Sequence, residues 1–213
     1  MNTEVIIFDL FGTLVRFDAQ RHPYRQLLKW GRKNGRKPLA DDARTIMTFN
    51  GDIQLIADHM GINAPSEFLR DMAEDIEYEL ASLTLFDDVI PVLDELKKRK
   101  IRMAICSNLA KPYGDVIERL LLPYSLKKYL SYECGFIKPE PKIYQSIVMT
   151  MDIEPQQCLF VGDTFLADVI GPKQVGMQSV HLCRGKNSTQ NGIKTLVDLV
   201  DIAHSNMNSR LSN

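Results

Sequence analysis

No apolar run in the 213-residue chain approaches the ~20 residues that a membrane-spanning helix requires. The N-terminal stretch carries acids at Glu4 and Asp9, with no basic region or small-residue cleavage site, so no secretory leader is expected. The four cysteines, Cys106, Cys134, Cys158 and Cys183, form no CxxC pair, which argues against zinc. They predict a soluble cytoplasmic protein with reduced thiols. Charge of either sign is not in surplus: 26 basic and 27 acidic residues leave a net charge of −1. Such a balance offers no global attraction to nucleic acid or an anionic membrane. Neither glycine nor proline is abundant enough for a collagen-like or disordered chain. There is no internal repeat. Ordinary globular composition remains, with 45% hydrophobic and 25% charged residues. At ~150 residues per domain, this length suits one elaborated α/β domain or a core with a small cap.

What is present begins with Val5-Ile6-Ile7-Phe8, a continuous apolar run that stops at Asp9. Runs of this kind suit strands buried on both faces of a parallel sheet. Ile101 to Cys106 ends likewise at Ser107-Asn108, Cys158 to Val161 at Gly162-Asp163, and Gln178 to Leu182 is a weaker fourth. Ligands of open α/β sheets bind outside the carboxyl ends of the strands. Asp9, Ser107 and Asp163 are therefore expected to meet at one edge. Helical patterns intervene: Asp87 to Lys100 with acids first and bases last, Pro141 to Met151, Leu166 to Gly176, and Lys194 to His204. The tail after Ser205 is polar and expected to fray.

Residues 16–84 break the alternation. They hold no convincing strand, and His22 to Asn34 and Gln54 to Met60 read as helical. Phe68, Met72, Ile76 and Leu80 recur every fourth residue, as on one helix face. The expected organisation is a Rossmann-like core at 1–15 and 85–213, with an all-helical cap at 16–84 inserted after the first strand. An insertion there lies above the binding edge and is a candidate lid.

Four motifs stand in order: Asp9-x-Phe11-Gly12-Thr13, Ser107-Asn108, Lys138 before Pro139, and Gly162-Asp163-Thr164-x-x-x-Asp168. Each alone has a bland reading as a turn, a cap or a solvated charge. Together, each at an element end, they resemble the haloacid dehalogenase superfamily of hydrolases over nearly the whole chain. The residue types suit the implied chemistry. A carboxylate after a strand can attack phosphorus or carbon to form an ester. Gly12 permits close backbone approach. Ser107 can donate to a phosphate oxygen, and Lys138 places positive charge beside the developing negative charge. Asp163 and Asp168 offer oxygens to a hard cation such as Mg²⁺.

The resemblance implies Asp9 as nucleophile, with Ser107 and Lys138 catalytic. It implies a Mg²⁺ site from Asp9, the main-chain oxygen of Phe11 and Asp163, supported by Asp168. Gly12, Thr13 and Asn108 are expected to contact substrate.

One position departs from the pattern. Family phosphatases usually carry a second aspartate two residues after the nucleophile, as general acid and base, and here it is Phe11. Such help is typically worth ~10²–10⁴ in rate, most for poor leaving groups. Halide expulsion needs no proton, and family dehalogenases carry an aromatic residue there. Phosphonate-cleaving relatives use a cap lysine instead, which directs attention to Lys29, Lys33 and Lys37. Asp163 pulls the other way, since an aspartate there is the phosphatase-like, metal-binding form.

The favoured expectation is a Mg²⁺-dependent phosphatase of a small phosphorylated molecule. A 2-haloacid dehalogenase and a non-catalytic phosphate-ligand-binding member are the alternatives.

The cap adds a charge pattern. Seven bases and no acid lie between Arg21 and Lys37, while Glu67 to Glu79 carries six acids and one base. Arg21 and Arg25 are either a collar for an anionic substrate or a solvated face paired with that acidic helix.

Overall fold

The computed structural model describes residues 3–185 and 192–200. Five parallel strands form the core sheet: β1 (Val5–Phe8), β4 (Arg102–Ser107), β5 (Lys127–Leu130), β6 (Cys158–Gly162) and β7 (Gln178–His181), in the order β5-β4-β1-β6-β7. β1 is central, with Phe8 level with Ile105 on one side and Val161 on the other. Its unbroken hydrophobicity has a direct cause. Ile6 and Phe8 enter one buried cluster and Val5 and Ile7 enter another on the opposite face. A strand with period two and apolar layers on both sides has no solvent face to make polar.

Helices cover the sheet. Ile143, Tyr144 and Ile147 of α8 (Pro141–Met151) pack beside Val5 and Ile7. Val89, Val92, Leu93 and Leu96 of α5 (Val89–Lys98) join the cluster of Ile6 and Phe8. α6 (Val116–Leu121) and α7 (Ser131–Cys134) lie between β4 and α8 in the chain. The cap holds α1 (Pro23–Lys33), α2 (Asp42–Thr48), α3 (Ile53–His59) and α4 (Ser66–Ala81). No helix of the described residues is long and apolar enough to cross a membrane.

Three expectations need correction. The cap boundaries are not bare linkers: β2 (Val15–Phe17) and β3 (Leu83–Leu85) pair antiparallel as a two-stranded neck, so residues 16–84 are not purely helical. The segment expected as one helix from Leu166 winds as a π-helix over Phe165–Ile170, followed by the short α9 (Gly171–Gln174). Of the helix expected at Lys194 to His204, residues 194–196 form a bend and turn and 197–200 a turn of helix; residues 201–204, and the tail after Ser205, lie outside the described residues.

Candidate active site

β1 delivers Asp9 to the point where the chain's crossovers change direction, between β4 and β6, which is where an open α/β sheet has its crevice. The Asp9 amide donates to Val161 O at 2.9 Å, and the amides of Leu14 and Val15 both return to Leu10 O, closing a tight loop. Gly12 is essential to it: φ is +82°, and a Cβ there would stand 2.3 Å from Asp163 Oδ2. Arg184 secures the loop from below. It donates to Thr13 O at 2.7 Å, forms a fork–fork pair with Asp88 and stacks on Phe86.

Lys138 is the hub of the site. Its buried Nζ lies 2.7 Å from Asp9 Oδ1 and 2.6 Å from Asp168 Oδ1. Asn108, one residue past β4, fixes the lysine by both ends of its amide, accepting from Lys138 N at 2.7 Å and donating to Lys138 O at 2.8 Å. Asp168 is turned inward by the π-helical segment, a form that recurs at functional sites. Its second oxygen accepts from Thr164 N at 2.8 Å. Any Cβ at Gly162 would collide with this carboxylate. Ser107 closes β4 at the same edge and is buried. Thr13 is buried, its hydroxyl 3.4 Å from Asp9 Oδ2.

Asp9, Asp163 and Asp168 bring one oxygen each within 4.8 Å of one another. One ammonium among three carboxylates leaves an excess of negative charge, and the donors are all oxygen, which fits a hard divalent cation. The electrostatics agree. Burial pushes the Asp9 carboxyl up to about 6 against the pull of Lys138, and Asp168 adds to the rise. Burial alone would lower the Lys138 pKa, but Asp9 and Asp168 outweigh it and hold the ammonium protonated. Asp163 reaches the surface yet is also shifted up, by desolvation first and by Asp168 second.

The other wall of the site is different in kind. A cavity of about 370 Å³ lies between core and cap, lined on the core side by Phe11, two residues past Asp9, and by Asn108, which holds the Lys138 backbone. Phe11 stacks on Phe17 with centroids 4.8 Å apart, and Tyr113 meets both edge-on at 6.0 Å. Tyr24, Leu28 and Ile46 of the cap complete the wall.

Cap and core are latched around this cavity. Arg44 of α2 pairs with Glu140 at 2.6 Å, two residues past Lys138, and Ser131 Oγ donates to Met47 O at 2.6 Å. Tyr113 Oη donates to the buried Glu79 of α4, which also accepts from the amide of His22 at 2.7 Å.

The two basic residues of the expected collar part company. Arg25 lines the cavity. Arg21 precedes α1, pairs with Asp75 at 2.7 Å and stacks on Tyr78 of the acidic helix, and does not line it. Lys29, Lys33 and Lys37 are exposed and do not line it either.

Sequence reasoning missed Phe17, Tyr24, Tyr113, Glu79 and Arg184. Only Glu79 left a usable trace. The buried face of α4 is Leu69, Met72, Ile76 and Glu79, so one acid of an acidic helix falls in step with its apolar stripe.

The model of the haloacid dehalogenase-like hydrolases matches residues 3–176. A glyceraldehyde 3-phosphate phosphatase of Methanopyrus kandleri is 26% identical over 206 residues, covering 86% of this chain and 85% of that protein. Among solved structures, a haloacid dehalogenase-superfamily phosphatase from Thermococcus onnurineus superposes with a TM-score of 0.63 at 24% identity, covering 95% of this chain and 97% of that one. A 2-haloacid dehalogenase from Pseudomonas syringae pv. Tomato DC3000 does so with a TM-score of 0.67 at 18% identity, covering 96% and 99%. These likenesses of fold do not distinguish the two chemistries, since function resides in the site. With the match spanning most of its length and all four motifs gathered at one sheet edge, the chain belongs to the haloacid dehalogenase-like hydrolases.

Proposed function

We propose that this hydrolase is a Mg²⁺-dependent phosphatase of small phosphorylated molecules, acting through an aspartyl-phosphate on Asp9. The observation that carries the reading is the cluster of Asp9, Asp163 and Asp168 around one protonated lysine. A third carboxylate at the position of Asp163, on the open side, is the feature that a metal-independent dehalogenase does not need.

Asp9 and Asp163, with the main-chain oxygen of Phe11, would hold the cation. Asp168 supports them by positioning Lys138 and the Thr164 amide. When bound, Mg²⁺ supplies positive charge to the phosphoryl oxygens. The remaining work falls to the chain. One oxygen of the ionised Asp9 attacks phosphorus, and the bond from phosphorus to the leaving oxygen breaks, with that oxygen keeping the electron pair. Lys138 offsets the charge accumulating on the phosphoryl group, and the Ser107 hydroxyl donates to one of its oxygens. Water then cleaves the acyl phosphate, releasing inorganic phosphate and restoring the carboxylate.

Phe11 is the feature that favours a dehalogenase, through an alkyl ester on Asp9. One assay separates the readings. Acetyl phosphate and 2-chloropropionate are offered with Mg²⁺ and with EDTA. Phosphate release that EDTA abolishes supports the phosphatase, and EDTA-insensitive chloride release overturns it. Neither activity, with calorimetric binding of phosphate, would identify a non-catalytic member.

A further inference from the structure

No side chain among the described residues that line the cavity beside Phe11 is able to hand over a proton near neutral pH. Among the described residues, its ionisable lining side chains are Tyr24, Arg25 and Tyr113. Both phenols are shifted further up by burial, and Tyr113 already donates to Glu79. The ring of Phe11 stands where a general acid would be useful, stacked on Phe17 and capped by Tyr113. The same wall is apolar. An alcohol carrying several hydroxyls would surrender hydrogen bonds to water there and regain few. An aromatic ring would instead find a cavity of about 370 Å³, within the range of small-ligand sites, with edges and faces to pack against.

Chemistry and shape thus select the same leaving group from independent observations. We infer that the substrate is a phosphate monoester of an apolar aromatic alcohol, its phosphate at Asp9 and its ring among Phe11, Phe17, Tyr24, Leu28 and Tyr113. This inference rests on the phosphatase reading and names its substrate class. Attack by Asp9 breaks the bond between phosphorus and the phenolic oxygen. A phenolate leaves with the electron pair, without needing a proton, because a phenol has a pKa near ~10, the range of an ordinary tyrosine. Water then splits the aspartyl-phosphate, and the proton it releases neutralises the phenolate, so the sum is ester plus water giving phenol and inorganic phosphate. Arg25, the only charged side chain lining the cavity, has no ion pair among the described residues and borders the space assigned to the ring.

The test compares four compounds on the purified protein with Mg²⁺: 1-naphthyl phosphate, hexyl phosphate, glyceraldehyde 3-phosphate and acetyl phosphate. Hexyl phosphate is apolar with a poor leaving group, glyceraldehyde 3-phosphate is polar, and acetyl phosphate needs neither a proton nor the cavity. The aryl ester is expected to exceed hexyl phosphate in kcat by about 10²-fold or more, the size of a missing general acid. Hexyl phosphate should compete with it for the site, and the triose phosphate should not. Turnover of acetyl phosphate with no advantage for the aryl ester over hexyl or triose phosphate would overturn the inference while leaving the phosphatase standing. Failure to release phosphate from any of the four would overturn the phosphatase reading itself. Leu28→Asn places a polar group in the wall. It should lower kcat/KM for 1-naphthyl phosphate about tenfold more than for acetyl phosphate, as loss of a buried leucine contact implies. Equal losses on both would count against a ring in this cavity.

Discussion

The two walls of the active site differ in how completely they are furnished. The core wall holds Asp9, Lys138, Asp163 and Asp168, and three of the four are braced by a neighbour: Asn108 on the lysine, the Thr164 amide on Asp168, and Arg184 on the loop that carries Asp9. The cap-facing wall holds rings and aliphatic chains. Charge that must be stabilised in one place is met by prearranged groups, whereas the departing group is met by rings and aliphatic chains, with Arg25 the only charge among them. The contrast teaches where selectivity resides. The core wall would accept any phosphoryl group, and the apolar wall with its missing acid decides what may be attached to it.

The core wall is the easier half to break. Asp9→Asn keeps size and hydrogen bonding but removes the nucleophile, so turnover should fall by ~10⁴-fold or more, with the fold intact by circular dichroism. Wild-type rates in this variant would dismiss both ester mechanisms. Lys138→Met comes next. It leaves two buried carboxylates facing each other without their cation, which should cost about 3–5 kcal/mol of stability and ~10²–10³ in kcat. Added Mg²⁺ should restore part of the Tm by linkage, and a Tm that ignores Mg²⁺ would remove the metal from this cluster.

Phe11→Asp exchanges a feature of one wall for the missing feature of the other. It should raise alkyl phosphate hydrolysis by about 10- to 100-fold, and shorten the life of the aspartyl-phosphate, because the same carboxylate can activate water. In the wild type, the lack of that base should make dephosphorylation slow, giving a burst of phenol release in rapid-mixing experiments. The variant also loses the stacking on Phe17, so a lower Tm should accompany the gain. Equal wild-type rates on aryl and alkyl esters would reveal a proton donor elsewhere.

The metal-free core wall should also betray itself in its response to pH. Asp9 is raised from 3.8 in the unfolded chain to about 6. Between those values the native state binds the extra proton, so this group makes stability fall as pH rises from about 4 to about 6 and level off above. Mg²⁺ should reverse the sense by favouring the carboxylate. Its Tm increment should be largest above pH 6 and shrink below it, where protons compete. The comparison with Asp9→Asn isolates this carboxylate, and identical pH slopes in the two proteins would assign the effect to other groups.

How much of this was legible in the sequence follows from how each feature is encoded. β1 and β6 announced themselves because both faces are buried, and α8 has the bounds its pattern predicts. β5 did not, since Lys127 and Lys128 are exposed on an edge strand and only Tyr129 and Leu130 are buried. The neck strands have three residues each, too few for any period to register. α2 escaped because one buried isoleucine, Ile46, and one buried aspartate, Asp42, are all the core-facing signal its seven residues carry. The polar wall could be foreseen because strand ends in a parallel sheet converge by topology. The apolar wall could not, because residues 11, 17, 24 and 113 meet only through the docking of cap on core, which no local pattern records.

The smallest effect is the sharpest test of that docking, because it sets Arg21 against Arg25. As a row of bases repeating every fourth residue the two look equivalent, but α1 begins at Pro23. His22 takes a left-handed conformation, φ 55°, that turns the chain before the helix. Arg21 is thereby delivered to Asp75 and Tyr78, on the outer side of the cap, and Arg25 to the cavity. An exposed ion pair contributes little, so Arg21→Ala should shift Tm slightly and leave KM alone. Arg25→Ala removes a charge beside an anionic substrate. KM should rise by about two- to fivefold at low salt and by less at high salt, where the Debye length contracts. The change should fall on KM rather than kcat, since a contact distant from the reacting atoms acts alike on ground and transition states. Equal effects from the two substitutions would mean that the cap docks differently on the core in solution, and the assignment of the apolar wall would fall with it.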